Sequence, residues 1–238
     1  MNSLKKSFIT TYDPIMAKKG FKRKGKIYHR LVNKEIVQML SYFKYSHSFT
    51  IQFLIAPLCS GVTFSSFMDE CRLGLILGNE NYAEWDLHDE YTVSLEKSVG
   101  LCERLFQYFE EIHDCKSYID NMHSIYKRAY GNKWESILSK NIMLYGPYLK
   151  TGAYDFVRQM QFDIITQNIN AIQNNLKYNI RPTEKKIREL KKRQSEFNRM
   201  SEAMDNNDSA YIGAYVTNNE QISIKSYRKF CRKPFVAI

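Results

Sequence analysis

Asp86-Leu87-His88-Asp89-Glu90 is the densest run of metal-ligating side-chain types in this 238-residue chain. In an extended segment Asp86, His88 and Glu90 share one face, because side chains alternate along a strand. His113-Asp114-Cys115 is a second such run. Neither has zinc-finger spacing, and no His-Glu-x-x-His occurs. A solvated acidic turn before a helix accounts for the first run, its carboxylates favoured by the helix's positive end. No metal is expected. Gly74 and Gly78, in GLILGNEN, lack the lysine that a phosphate-binding loop needs. There is no Gly-x-Ser-x-Gly, and Cys59 or Cys71 could pair with a histidine only through tertiary structure. No cofactor is expected. An enzyme reading reduces to a site assembled in space around Asp86, His88 and Arg72.

Cations offer a different chemistry. KKGFKRKGKIYHR, residues 18–30, has Lys or Arg at six of its first nine positions. Residues 1–34 hold ten Lys/Arg against one carboxylate, and residues 181–200 hold eight against three. Between them, residues 35–180 are mildly acidic, with twelve Lys/Arg against seventeen Asp/Glu. Two basic segments, 18–30 and 181–199, therefore carry the formal charge of +10. Binding a polyanion requires such cations on one surface, where counterion release drives association. Lys22, Arg23, Lys24 and Lys26 in the first segment, and Lys186, Lys192 and Arg193 in the second, are the nucleic-acid candidates. The bland alternatives are also physical. Lysines at a strand start keep a sheet edge from pairing with other chains, and a lysine-rich helix back is a solvated face. The bland reading is favoured, with Phe21 and Ile27 anchoring a solvated lead-in to the first strand.

The elements that must position these residues follow from hydrophobic period. At 44% hydrophobic and 14% aromatic residues, the chain can build a sizeable core. Leu4, Phe8, Tyr12 and Ile15 mark a short helix over 3–18, limited by Pro14 and ended by Gly20. Strands follow at 26–32 and from Glu35 to Phe43, joined by an Asn33-Lys34 turn. FTIQFLIAPL alternates Phe49, Ile51, Phe53 and Ile55 against Thr50 and Gln52. Short connections make this an antiparallel meander. Further extended segments are expected at 70–77 and near 84–87. After Glu90 the period becomes helical: 94–112, 117–129, 132–145, 152–177, a helix opened by Pro182 and running to about 205, and 209–230. Gly146-Pro147 reads as a breaker. Strands followed by helices give an α+β fold: an antiparallel meander packed with helices in 1–114, then an all-helical half in 115–238. No Gly/Ser/Pro linker separates them, so one continuous unit is compatible with the pattern. Five cysteines without a Cys-x-x-Cys pair, no signal-peptide pattern and no membrane-length apolar run describe a soluble cytoplasmic protein.

The order GFKRKGKIYHR, EIVQMLSYFKYSHSFTIQFLI, CRLGLILGNENYAEWDL resembles the bacterial family known as domain of unknown function 4304, over roughly residues 4–114. The matching positions are Gly20 with Phe21, Gln38, Ser46 or Ser48 with Phe49, Arg72 with Gly74, and Trp85. The chain departs from the pattern near Trp85, where it has one Trp rather than an aromatic pair. The resemblance implies the α+β fold and no reaction. YLKTGAYDFVRQMQFDIITQNINAI is faintly similar to one hairpin of a tetratricopeptide array, though no 34-residue repeat is present. A sheet-face pocket is expected around Gln38, Arg72, Trp85 and Arg30, where polar groups beside an aromatic could hold a small anionic or planar ligand. The reading is a non-enzymatic binding or scaffolding module with a protein partner and no membrane, with nucleic-acid binding as the alternative.

Overall fold

The computed structural model describes residues 4–44, 48–64, 85–86, 91–178 and 184–232. Helix α1 (Leu4–Lys18) carries Pro14 inside it. That proline withholds one hydrogen bond from the Thr10 carbonyl, but Thr10 is exposed, so water can replace it. Gly20 at φ 75° stops the helix. Its N–H donates to Ala17 O (3.0 Å), and the Phe21 N–H reaches back to Met16 O (3.0 Å). Those two bonds form a Schellman motif, which requires a left-handed residue that only glycine adopts freely.

The sheet is a five-stranded antiparallel meander in the order β1 (Lys22–Lys24), β2 (Ile27–Val32), β3 (Ile36–Lys44), β4 (Ser48–Pro57) and β5 (Trp85–Asp86). The expected lead-in before the first strand is thus itself a strand. Gly25, at φ 61°, turns β1 back onto β2 and lets Lys24 pair with Ile27. Asn33 and Lys34 both take positive φ, and the Glu35 N–H donates to Val32 O at 2.9 Å. That primed turn matches the twist of the β2–β3 hairpin. The extended segment expected at 70–77 lies outside the described residues.

Both faces of the sheet are covered. Tyr28, Leu40, Phe49, Ile51, Phe53 and Ile55 point into a core shared with Phe8, Tyr12 and Met16 of α1 and with helices from the second half of the chain. Ile27, Val37, Met39, Leu54 and Ala56 point the other way, into a second cluster with Phe64, Ile224, Tyr227 and Phe230. The last three belong to the final helix. Thr50 and Gln52, opposite the Phe49–Ile55 face, are buried as well.

The helices are α2 (Tyr91–Leu101), α3 (Glu103–Glu111), α4 (Cys115–Tyr130), α5 (Trp134–Leu138), α6 (Tyr145–Thr151), α7 (Tyr154–Lys177), α8 (Glu184–Asp205) and α9 (Ser209–Arg232). Two expected helices are divided. The 94–112 stretch breaks at Cys102, whose N–H is shared between Ser98 O and Val99 O. Ser98 Oγ also donates to Leu95 O at 2.6 Å, and Gly100 weakens the same turn. The 132–145 stretch ends at Leu138 and restarts because the Asn141 side chain accepts the Met143 N–H at 3.1 Å, as an N-cap does. Gly146-Pro147 does not break the chain. It sits in the first turn of α6, where proline's missing N–H costs nothing.

The C-terminal helix is tied to the sheet through β1 and β2. His29 Nδ1 and Tyr227 Oη share a hydrogen bond at 2.8 Å, and the His29 ring meets Phe230 edge-on at 5.3 Å. Lys24 lies over the Phe230 ring at 4.8 Å and donates to the Phe230 carbonyl. Burial first, then Lys22 and Lys24, lower the His29 pKa to about 4.

Because unfolded His29 titrates near 6.5, the unfolded chain binds the extra proton between the two values. Stability should therefore be complete above about pH 6.5 and fall as the pH drops toward 4, by up to about 3 kcal/mol. Urea melts across that window should show the slope, and His29→Gln should flatten it. Gly146→Ala should cost about 2 kcal/mol or more in the same assay, since the new Cβ would sit 2.1 Å from the backbone Cys59 O.

Candidate functional site

Arg30 and Gln38 are cross-strand partners on β2 and β3, with Ile55 beyond them on β4. Their side chains do meet. Arg30 Nε donates to Gln38 Oε1 at 2.7 Å, and Gln38 Nε2 donates to Phe109 O (2.8 Å) and Ile112 O (2.9 Å). Arg30 Nη2 donates to the same Phe109 carbonyl at 2.6 Å, and Nη1 donates to Lys19 O. Phe109 lies in the last turn of α3, and Lys19 follows the last turn of α1. The pair therefore closes the C-terminal ends of two helices, where carbonyls lack intrahelical donors and a cation is favoured. Phe21 lies under the guanidinium at 4.6 Å and against the Phe109 ring at 5.2 Å. Gln38 is fully buried. Its amide serves the protein's own backbone, so it offers no polar edge to a ligand.

The other members of the expected pocket are elsewhere or outside view. Trp85 pairs with Phe49, six residues along β4 from Ile55. That is about 20 Å of strand from the level of Gln38. The separation follows from the register, which the short β5 fixes at the far end of β4. Arg72 and His88 lie outside the described residues, as do all of Asp86–Glu90 except the Asp86 backbone. His113-Asp114-Cys115 is absorbed by α4. Asp114 caps the helix by accepting the Ser117 N–H at 2.7 Å, which lowers its pKa, and Cys115 enters the core. Among the described residues no three His, Cys, Asp or Glu side chains group as a metal site, and no helix there is long and apolar enough to cross a membrane.

The two basic segments have different environments. In the first, Arg23 pairs with Asp13 at 3.0 Å, Lys19 with Glu110 at 3.3 Å, and Lys26 lies over Tyr42 at 4.8 Å. Lys24 holds Phe230, as above. Lys22 is exposed. These cations mainly join the protein's own elements.

The second segment lies on a projecting two-helix arm. In α7, Val157, Met160, Gln161 and Ile164 are buried, and no described residue beyond Ile164 is. In α8, residues 184–196 are exposed except for half-buried Leu190. Each helix therefore extends roughly 20 Å past its last buried contact. The base is well anchored: Gln161 Nε2 donates to Tyr145 Oη at 2.8 Å, Ser201 Oγ donates to Gln161 Oε1 at 2.8 Å, and Tyr145 stacks on Phe197 at 5.4 Å.

Along the arm, Phe162, Ile165, Ile169 and Ile172 follow a 3-4-3 spacing, the pattern of a coiled-coil seam. Phe162 is 67% exposed and Ile169 40%. Phe162 and Ile169 stand clear of the Val157–Met160–Ile164 face that enters the core, whereas Ile165 packs against that core and Ile172 is half-buried. On α8, Lys185 and Lys192 reach Glu189 and Glu196 at 4.0 and 3.8 Å. Among the described residues Lys186, Arg188, Lys191 and Arg193 have no carboxylate at ion-pair distance. The sequence reading found α8's charge and missed the α7 stripe. It read 152–177 as one periodic stretch that ran Ile165, Ile169 and Ile172 together with Val157, Met160 and Ile164 and left out Phe162.

Gln38→Leu should destabilise the fold by about 2–3 kcal/mol in chemical denaturation, because it strands Ile112 O and Arg30 Nε without partners. Comparison with protein-family models, curated proteins and solved structures finds no match to this chain.

Proposed function

We propose that this protein is a non-enzymatic binding module whose contact surface is the α7–α8 arm. The observation that carries the reading is the Phe162–Ile165–Ile169–Ile172 stripe, in which Phe162 and Ile169 are exposed and Ile165 and Ile172 half-buried, beside a helix with unpaired cations among the described residues. The occupant that fits is an amphipathic helix of a partner protein, with an apolar seam and acidic flanks. The seam supplies apolar burial in the helix-in-groove manner, and the flanks complement Arg188 and Lys191. An arm that buries so little of its own surface also gains stability when covered. The resemblance of residues 4–114 to family 4304 belongs to this reading and adds no reaction. A cytoplasmic setting and a bacterial source are part of the same proposal.

A nucleic-acid reading keeps one specific support, the α8 cations. Most cations of residues 18–30 have partners within the fold, so this alternative now rests on Lys186, Lys192 and Arg193 with their neighbours Arg188 and Lys191.

The test uses two synthetic helical peptides with leucine at heptad a and d positions, one flanked by Glu and one by Lys. The full chain should bind the Glu-flanked peptide at least about tenfold more tightly in fluorescence anisotropy. Ile169→Asp should abolish that binding, and Lys191→Glu should weaken it. Equal binding of both peptides would remove the charge argument. No binding of either, or a stable dimer in light scattering that Ile169→Asp dissociates, would overturn the partner assignment. Salt-sensitive binding of labelled RNA or duplex DNA, lost on Lys186→Glu with Arg193→Glu, would favour the nucleic-acid alternative.

A further inference from the structure

A second feature of the helical half lies away from the arm's stripe. Trp134, Glu135 and Leu138 of α5, Tyr148 of α6, and Phe156 and Met160 of α7 line a half-open cavity of about 210 Å³. Leu138 and Met160 are buried and form an apolar floor. Of its aromatic lining groups Trp134 and Phe156 present ring surface, while Tyr148 is buried behind Phe156. Tyr148 and Phe156 stack at 4.9 Å with an interplanar angle of 12°. His123 of α4 stands behind them, with its ring 5.1 Å from both Trp134 and Phe156. His123 Nε2 shares a hydrogen bond with Tyr148 Oη at 2.6 Å, which fixes the tyrosine.

The two charged residues that line this cavity are both acidic. Glu135 and Asp155 are the ionisable lining groups, both exposed, and no Lys or Arg lines it. Arg158 lies just outside, 3.3 Å from Asp155, and its other nitrogen is held by Asp205 at 2.6 Å. Burial lowers the His123 pKa, so the imidazole adds no competing positive charge at neutral pH.

We propose that this cavity binds an organic cation of the alkylammonium class, with the charged head between the Trp134 and Phe156 rings. Ring faces carry negative quadrupole potential and attract a cation most strongly where water is excluded. The apolar floor takes the methyl or methylene groups, which a strongly hydrated metal ion or a bare ammonium does not offer. Glu135 at the lining raises the local concentration of cations, while Asp155 is paired with Arg158. The volume accommodates a trimethylammonium head with its first carbons. The same head occurs on free choline-like compounds and on trimethylated lysine side chains.

The two tryptophans of the chain give two indole N–H signals in a ¹H–¹⁵N spectrum, assigned with Trp134→Phe. Titration of the full chain with choline should shift the Trp134 signal saturably and leave that of Trp85 in place. Choline should bind about tenfold more tightly than 3,3-dimethyl-1-butanol, its neutral carbon isostere. Phe156→Leu should weaken choline with little change for the isostere, and Glu135→Gln should weaken choline alone. N-acetyl-trimethyllysine amide distinguishes the sources: tighter binding than choline assigns the site to a modified side chain, weaker binding to a free compound. Equal affinity for choline and the isostere would overturn the cation assignment. So would the absence of a saturable shift at tens of millimolar choline in a chain whose Trp85 signal reports an intact fold. Ile169→Asp should not affect this titration, so the cavity and the arm stand or fall separately.

Discussion

A sheet with apolar side chains on both faces must be covered twice, and that requirement organises the whole chain. Val37, Met39, Leu54 and Ala56 alternate with Leu40, Phe53 and Ile55, and all are buried. Each large side chain left in water would forfeit about 1.5–3 kcal/mol. Helix α1 and the α3–α4 region cover one face. Of the described segments close in sequence, only the short stretch after β4 reaches the other face, with Leu58 and Phe64. The chain instead builds its helical half and returns through α9, which lays Ile224, Tyr227 and Phe230 against the second face. The same demand ties residues on either side of residue 114 into a shared core.

The return needs polar fastening as well as apolar area, and basic residues supply it. Lys24 meets Phe230 at the C-terminal end of α9, where helix carbonyls lack donors. Arg30 does the same for α1 and α3 at once, with Gln38 completing the set. The planar guanidinium reaches three acceptors at fixed angles while stacking on Phe21, a combination a lysine cannot reproduce. Positive charge near the N-terminus is therefore largely an internal device of the fold. The bulk charge of +10 overstates what a polyanion would meet there.

Several elements were legible in sequence because a local rule determined them. Gly20 after a helical run, Asn33-Lys34 between two apolar runs, and the period change after Glu90 each have one strong physical reading, and the α+β architecture followed. Pairings that depend on register were not legible. Gln38 and Arg30 could be chosen as polar residues on strands, but their carbonyl partners come from residues 19, 109 and 112. Trp85 could be placed on a strand, but only the β4–β5 register moves it to the far end of the sheet. The aromatic cavity was invisible for the same reason: His123, Trp134, Tyr148 and Phe156 come from four elements and share no spacing. The division at Cys102 was missed because its cause is a serine hydroxyl bonded back onto its own helix.

The contrast between body and arm separates residues that maintain the fold from residues free to act on something else. In the body, polar groups such as Gln38, Gln161 and Asp114 are engaged with the protein's own donors and acceptors. Along the arm, apolar Phe162 and Ile169 face water, and among the described residues Lys186, Arg188, Lys191 and Arg193 stand without carboxylates. Helices of this length are marginal in water when they do not pack. The distal part of the arm therefore contributes little to holding the body together, and substitutions there can alter contacts without altering the core. A surface that sheds apolar contacts while leaving the fold intact is the basis on which the binding reading is proposed. Its neighbour on the same helix, the Phe156 cavity, is built the opposite way, with a buried floor and a fixed tyrosine. Helix α7 thus presents two kinds of surface: a preorganised pocket near its start and a compliant seam along its length.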